Sequence, residues 1–167
     1  MKRNLVRAVF IATLSVGVAA MASAQDPSAQ DDRCSNARVA GEWGYTKTGT
    51  LYLPTGAVPF ASIGKFTFEA GGDVSGTQEA SVGGNVGKGQ LNGTFAVDAD
   101  CTGTMTVGVY DLSGNLLRTV TVSLLFDDKV TELRGLVTSL VLPNGTRLPT
   151  VMSGEARRLF PGRGDDQ

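Results

Sequence analysis

The residues from Gly93 to Thr104 have the sequence GTFAVDADCTGT, and this stretch decides the fold. Apolar side chains alternate with small or polar ones up to the turn signal Asp98–Asp100, and the alternation resumes from Met105 to Val109. An alternation of period two is typical of half-buried β-strands, and an acidic turn between two such runs indicates a hairpin. The stretch therefore predicts two antiparallel strands joined by a tight turn that contains Cys101.

Similar turn signals divide the rest of the chain into extended segments. They recur about every 12 to 16 residues and leave strands of roughly ten residues, a spacing that favours an up-and-down meander. Seven connections imply eight strands, and such a meander buries both of its edges when it closes into a barrel. We therefore expect an all-β fold, a single up-and-down antiparallel eight-stranded β-barrel over residues 39–159. The signals are Pro54–Gly56, Gly71–Asp73, Gly83–Asn85, Asp98–Asp100, Ser113–Asn115, Asp127–Lys129 and Pro143–Gly145.

The N-terminal residues have the pattern of an export signal. Three basic residues lie within the first seven, a mostly apolar run continues to Met21, and Ala22-Ser23-Ala24 matches the small-x-small pattern of a cleavage site. We expect the mature protein to be secreted or periplasmic. The expected segments are a signal peptide at 1–24, a flexible segment at 25–38, the barrel at 39–159 and a disordered tail at 160–167.

Charge and composition argue against two classes of partner. Without residues 1–24 the chain has 12 basic and 16 acidic residues, a net charge of −4, and so offers no basic face to nucleic acid or an anionic membrane. The apolar leader is shorter than a membrane span of about 20 strongly apolar residues. Thr-rich outward rows and an aromatic content of 7% disfavour an outer-membrane barrel. We expect no nucleic-acid partner and no membrane insertion of the mature chain.

The chain has two cysteines, Cys34 and Cys101. In an exported chain two cysteines most simply form one disulfide, and the alternative is two free thiols. A bridge would tie the N-terminal segment to the central hairpin and stabilise the fold by roughly 4 kcal/mol in the chain-entropy account.

The alternation also predicts which side chains point into the barrel. Gln78 rather than Glu79 shares a row with apolar residues, and Trp43 and Tyr45 share their row with Lys47. An eight-stranded barrel is either filled by its own side chains or holds one small ligand. The candidate ligand-binding lumen residues are Trp43, Tyr45, Phe66, Phe68, Gln78, Phe95, Met105 and Arg158.

Catalysis and metal binding have little support in the residue types. The chain contains no histidine, which removes the commonest general base and metal ligand at neutral pH. Any catalysis would rely on carboxylates, Tyr, Lys or Arg. We expect no cofactor and no metal, and we favour binding over catalysis while leaving an enzymatic role open.

Four charged residues near the C-terminus allow two interpretations. Glu132 and Arg134 share one face of the seventh predicted strand, and Glu155 and Arg157 share one face of the eighth. Charges at matching intervals on adjacent strands form either an exposed cross-strand ladder or the polar end of a ligand-binding lumen.

The sixth predicted strand, residues 116–126, is apolar on both faces. Val120, Val122 and Leu124 alternate on one face, whereas Leu117 and Leu125 lie on the other. A strand of this kind is typically covered on both sides, here by the N-terminal segment or by a partner subunit. An oligomer that assembles through residues 116–126 is therefore a second hypothesis.

Several stretches resemble known barrel families. Gly41-Glu42-Trp43 resembles the Gly-x-Trp signature of the calycins, the lipocalins and their relatives, in which the Trp plugs one barrel end under a basic residue; the resemblance implies that Arg158 packs over Trp43. Other stretches resemble exported bacterial proteins of unknown activity with calycin-like or allene-oxide-cyclase-type barrels. This resemblance covers about Ala40 to Leu159 and implies no catalytic residue. The stretches are Gly64–Phe68, Gly72–Gly76 and Gly93–Thr104.

Three functions compete at this point. The favoured one is an exported barrel that binds a small apolar molecule in its lumen without catalysis. The second is a structural or interaction barrel with a packed core. The third is an isomerase or cyclase of the allene-oxide-cyclase type, which requires a buried carboxylate beside a deep apolar pocket.

Overall fold

A computed structural model describes residues 33–159. The predicted signal peptide, residues 25–32 of the predicted flexible segment and the predicted tail lie outside the described residues. The elements are α1 (Asn36–Val39), β1 (Gly41–Leu53), β2 (Gly56–Phe68), β3 (Asp73–Val82), β4 (Asn85–Val97), β5 (Thr102–Tyr110), β6 (Leu116–Phe126), β7 (Glu132–Val141) and β8 (Thr150–Arg158).

The eight strands form one closed antiparallel barrel in sequence order. Closure depends on the pairing of β1 with β8, whose register runs from Trp43 opposite Arg158 to Leu51 opposite Thr150. Since a closed sheet has no edge strand, all eight strands have partners on both sides. The predicted up-and-down eight-stranded barrel is confirmed.

The connections fall at all seven predicted turn signals. Acidic or amide side chains hold four of these turns by accepting hydrogen bonds from backbone N–H groups further along the chain, as short polar residues commonly do. The acceptors are Asp100 Oδ1 (from Thr102, 3.0 Å), Asp111 Oδ1 (from Ser113, 2.9 Å), Asp127 Oδ1 (from Thr131, 2.7 Å) and Asn144 Oδ1 (from Thr146, 3.0 Å).

The two faces of the wall separate as the alternation predicted. Phe66, Phe68 and Phe95 are buried on the inner face, and Gln78 is buried while Glu79 is exposed. Side chains on one strand alternate between the two faces, so the choice of inner row on each strand follows directly from its apolar positions.

The helical turn α1 precedes the barrel and closes one of its ends. Ser35 Oγ accepts a hydrogen bond from Arg38 N, and Asn36 Oδ1 accepts one of 2.9 Å from Val97 N at the end of β4. Val39 is fully buried. The sequence predicted no helix, because a helix of four residues is too short to show a helical period.

The outer face of β6 stays apolar and exposed. Leu117 and Leu125, which the two-sided pattern predicted to be covered, have 42% and 52% of their surface exposed. Among residues 33–159 no element covers this face.

Candidate functional site

An apolar cavity of about 60 Å³ lies inside the barrel. A water molecule needs roughly 10–15 Å³ of such volume, so the cavity has room for about four to six water-sized groups. Six valines, two glycines and one alanine line it, and these short side chains leave space unfilled between the larger ones. The lining includes Tyr45, Lys47, Phe66, Met105, Val107 and Ala156.

The barrel end beneath α1, which we call the capped end, is filled by aromatic rings. Trp43 packs edge-on against Phe68 and Phe126, with ring centroids 6.3 Å and 5.8 Å apart, and the Phe68 and Phe95 centroids are 4.1 Å apart. Trp43 is fully buried, and its Nε1 donates a 3.0 Å hydrogen bond to the Val39 carbonyl of α1. Trp43 thus packs against aromatic rings and α1, and it does not border the cavity of about 60 Å³.

Arg158 and a disulfide complete the capped end. The Arg158 guanidinium lies 5.3 Å from the centre of the Trp43 ring, and its Nη2 donates a 2.7 Å hydrogen bond to the Arg38 carbonyl. Cys34 and Cys101 form the predicted disulfide, whose bridge spans 67 residues of sequence. Cys101 has a φ of 68°, a value uncommon outside glycine, so the turn places this residue where the bridge can form.

Polar side chains occupy the inner face further from the capped end. Five of them form what we call the polar cluster, and all lie on inward rows of their strands. Within it, Tyr45 Oη donates a 3.4 Å hydrogen bond to Gln78 Oε1. The members are Tyr45 and Lys47 on β1, Ser62 on β2, Gln78 on β3 and Arg118 on β6.

Two cations of the polar cluster flank one buried ring. Lys47 Nζ lies 5.2 Å and Arg118 Cζ 5.6 Å from the centre of the Phe60 ring. Burial, together with the neighbouring Arg118 charge, lowers the pKa of Lys47 to about 8. Burial also lowers the pKa of Arg118. The protein therefore keeps two positive charges in a site that destabilises them.

Of the neutral members of the polar cluster, Ser62 and Gln78 are buried and Tyr45 is partly buried. Burial raises the pKa of Tyr45 to about 12, although the adjacent Ser62 hydroxyl and the Arg118 charge partly offset this rise. Tyr45 is thus a protonated donor at neutral pH. Ser62 Oγ and Arg118 Nη2 are both buried and have no hydrogen-bond partner. Such orphaned groups are rare in native structures because each costs free energy.

The four-residue charge ladder lies outside the barrel. Glu132 pairs in register with Arg157, and Arg134 with Glu155. Arg157 Nη2 lies 3.0 Å from Glu132 Oε1, and the two side chains are 79% and 50% exposed. The interpretation of these residues as the polar end of a lumen is wrong, because their row faces solvent.

One described carboxylate, that of the exposed Glu155, borders the cavity, and no buried carboxylate in residues 33–159 does. Every Asp and Glu in residues 33–159 is exposed or only partly buried. Within the same range, no group of three or more Cys, Asp and Glu side chains could hold a metal ion. No described helix has the length and apolar character needed to cross a membrane.

The structure distributes the predicted lumen residues over three places. Tyr45, Phe66 and Met105 border the cavity. Gln78 lies in the polar cluster. The remaining candidates, Trp43, Phe68, Phe95 and Arg158, lie at the capped end. Ligand contact by any of them stays a prediction.

Sequence reasoning missed three members of the polar cluster, Lys47, Ser62 and Arg118. The signal was present in the alternation, because Lys47 shares a row with Trp43 and Tyr45, and Arg118 shares one with Val120. A charged residue on an apolar row is normally assigned to solvent, since an unpaired buried charge is costly. For this reason the sequence pattern does not predict a cluster of polar side chains inside the barrel.

Comparisons with known proteins give distant likenesses. No protein-family model and no curated protein matches the chain. The solved structure of the S-type phycobiliprotein lyase CPES from Guillardia theta is 12% identical, covers 78% of this chain and 96% of its own, and has a TM-score of 0.43. That of Rv2717c from M. tuberculosis is 14% identical, covers 74% of this chain and 94% of its own, and has a TM-score of 0.37. The barrel assignment above rests on the strand pairing instead.

Proposed function

We propose that this barrel binds a small, mostly apolar molecule in its lumen without catalysing a reaction. The observation that carries this proposal is the cavity of about 60 Å³, which the inward rows mostly line. Small apolar cavities of a preformed kind are favourable places for apolar ligands, since the surrounding side chains gain contacts they otherwise lack. The volume suits a ligand body of about five carbon atoms.

The absence of a buried carboxylate supports binding over the cyclase alternative. A carboxylate that steers charge in an apolar pocket must itself be shielded from water, and every described Asp and Glu reaches solvent. Tyr45 and Lys47 border the cavity, and both have perturbed pKa values. In our proposal they contact the ligand rather than transform it.

The proposal is tested by filling the cavity. Val107 is buried on the cavity wall, so Val107→Phe should occupy the space, while Val86, which is 67% exposed, offers the same substitution on the outside. Titration with 1-hexanol, followed by methyl NMR, should show saturable shifts of cavity methyl groups in the wild type and in Val86→Phe. Val107→Phe should show none.

Overpacking costs about 1–3 kcal/mol, so a gentler variant guards against misfolding. Ala156→Val adds two methyl groups to the same wall and should weaken 1-hexanol binding at least threefold. Equal binding by the wild type, Val107→Phe and Ala156→Val would show that the lumen is not the site. Native mass spectrometry after mild purification then identifies any ligand that copurifies.

Export remains part of the proposal. It is supported by the basic start, apolar run and Ala22-Ser23-Ala24 pattern, and by the Cys34–Cys101 disulfide, which persists in oxidising compartments. A mature chain that begins at Gln25, found by mass spectrometry of the protein expressed in a bacterium, would support cleavage. An intact Met1 on the purified protein would contradict it. Calycin-like kinship, likewise proposed, is supported by the stacking of Arg158 on Trp43.

A second candidate function is assembly through the outer face of β6. Leu125 and, on the neighbouring strand, Leu136 are 52% and 54% exposed, an apolar pair that supports this alternative. Light scattering tests it directly. A dimer that Leu125→Lys dissociates would favour assembly, and a monomer at all concentrations would exclude it.

A further inference from the structure

The polar cluster holds two positive charges for which the described chain supplies no negative partner. The ion pairs within residues 33–159 join Lys65 to Glu42 and Arg157 to Glu132, both on the surface. Lys47 and Arg118 instead both lie over the Phe60 ring, and the Arg118 charge disfavours the charged form of Lys47. Both side chains are partly buried, and charges withdrawn from water are normally paired, so an unpaired couple of the same sign points to a counter-ion from outside the chain.

The orphaned donors of the cluster indicate the chemistry of that counter-ion. Arg118 Nη2 is a buried N–H donor without an acceptor, and Ser62 Oγ is a buried hydroxyl that lies beside Tyr45 without forming a well-aligned hydrogen bond. Ser62 itself is only 7% exposed. An oxyanion accepts hydrogen bonds from an arginine, a lysine and a hydroxyl at once, and such charge-assisted bonds are about twice as strong as neutral ones.

The cavity supplies room for more than the anion. It is bordered by Tyr45 and Lys47 at the polar cluster and by aliphatic side chains such as Val107, Val122 and Leu133 elsewhere. A ligand placed in it therefore has a charged end at Lys47 and an apolar end among the valines. A doubly charged or extended polar ligand would leave charge unpaired among those apolar side chains.

We propose that the lumen ligand is a monocarboxylate with a short apolar body, whose carboxylate is held by Lys47 and Arg118. This inference rests on the proposed function, since it names the class of molecule that the cavity binds. Ser62 on β2 donates a further hydrogen bond, whereas the Tyr45 hydroxyl keeps its hydrogen bond to Gln78 Oε1. The apolar body occupies the cavity of about 60 Å³.

The charge state of the cluster is suited to this ligand at neutral pH. Lys47, with a pKa of about 8, is still largely protonated at pH 7, and Tyr45, with a pKa of about 12, keeps its proton. The groups facing Lys47 are Tyr45 on its own strand, Ser62 on β2 and Arg118 on β6. A bound carboxylate adds the first negative charge to this set and favours protonated Lys47.

Hexanoate, 1-hexanol and acetate separate the parts of the proposal in calorimetric titrations of the full mature barrel at pH 7. Hexanoate has both the carboxylate and the apolar chain, 1-hexanol has the apolar chain without the carboxylate, and acetate has the carboxylate with almost no apolar chain. We expect hexanoate to bind at least tenfold more tightly than either of the others. Lys47→Met and Arg118→Met should each weaken hexanoate at least tenfold and change 1-hexanol less than threefold.

Lys88→Met is the matched control, because Lys88 is an exposed lysine on β4, and it should leave both affinities unchanged. Equal affinities for hexanoate and 1-hexanol would contradict the proposal that the site binds a carboxylate, but would still support an apolar binding site in the lumen. Acetate binding as tight as that of hexanoate would overturn the apolar body. If none of the three compounds binds, the proposed function of the lumen as an apolar binding site is also contradicted.

A second measurement does not depend on any variant. The pKa of Lys47, followed by NMR of its side-chain carbon next to Nζ, should rise from about 8 toward the ordinary 10.5 when hexanoate saturates the site. Saturation with 1-hexanol should leave it near 8. An unchanged Lys47 pKa in the hexanoate complex would place the carboxylate elsewhere and overturn the proposal.

Discussion

The capped end and the polar cluster lie in the same lumen but differ in how well their polar groups are hydrogen-bonded and how fully their space is filled. At the capped end Trp43 Nε1 and Arg158 Nη2 each donate to a backbone carbonyl, and aromatic rings fill the space. In the polar cluster Arg118 Nη2 and Ser62 Oγ lack partners, and a cavity borders two other members of the cluster, Tyr45 and Lys47. One Arg158 atom, Nε, is also unpartnered, but its guanidinium lies over the Trp43 ring.

The difference separates stability from function within one barrel. A filled, bonded and covalently closed end gains hydrophobic and hydrogen-bond stabilisation without external help. Unpaired charges withdrawn from water and an unfilled cavity lower the free energy of unfolding, and a ligand that binds there raises it again. Substitutions in the two regions should therefore change stability in opposite directions.

The largest effect is expected from the disulfide of the capped end. Cys34→Ala with Cys101→Ala should lower the free energy of unfolding by about 4 kcal/mol, because the bridge closes a 67-residue segment of the unfolded chain. Urea unfolding of the oxidised wild type and the double variant measures it. A loss below about 1 kcal/mol would mean that packing alone holds α1 on the barrel.

A stabilising effect of similar size is expected in the polar cluster. Lys47→Met should raise the free energy of unfolding at pH 7 by about 3 kcal/mol, since a fall of the Lys47 pKa from 10.5 to about 8 corresponds to that cost of burying the charge. Urea unfolding again measures it, with Lys88→Met as the control. Destabilisation by Lys47→Met would contradict a cluster that opposes folding.

The pH dependence of the free energy of unfolding should report the titration of Lys47. Lys47 has a lower pKa in the folded state than in the unfolded state, so between pH 8 and 10.5 the unfolded chain binds more protons. Stability of the wild type should therefore increase from pH 8 to pH 10 by about 2 kcal/mol. Tyr45 acts oppositely, but only above pH 10, because its pKa rises from 10.0 to about 12.

Thermal or urea unfolding across this pH range provides the measurement. The rise should be missing in Lys47→Met and present in Lys88→Met. If the stability of the wild type does not change between pH 8 and pH 10, the Lys47 ammonium group is solvated in the folded protein, and this prediction is wrong.

The smallest effect concerns the arginine over Trp43. Arg158→Met should destabilise by about 1 kcal/mol, the combined loss of the cation–π contact and the hydrogen bond to Arg38, offset by retained packing. Its neighbour Arg157 forms only an exposed ion pair, so Arg157→Met should change stability by less than about 0.5 kcal/mol. Equal effects of the two variants would remove the special role of Arg158.

Local patterns predicted most of the fold. The turn signals and the alternation gave all eight strands and their inner faces, and the disulfide pairing required no choice among cysteines. The cap escaped prediction because α1 is shorter than any helical period. Val130, a buried β-branched residue with a φ of 56°, likewise has no local signal, since the surrounding turn imposes that conformation.

The candidate site was only partly predictable. Inward parity predicts Tyr45, Phe66 and Met105, but it does not single out Lys47 and Arg118, because charges on apolar rows are usually solvated. Their proximity could not be derived from pairing, since β1 and β6 are not neighbours in the sheet. Only the curvature of the closed wall places them on one ring.

The turns and the inward-facing side chains follow from local turn chemistry and a period of two residues, and the chain has only two cysteines that can join, so all three are visible in the amino-acid sequence. The tertiary structure alone decided that the aromatic rings fill one end, that valines and glycines leave a cavity, and that two cations converge beside it. Those outcomes depend on closure and stagger of the barrel, which relate strands far apart in the chain.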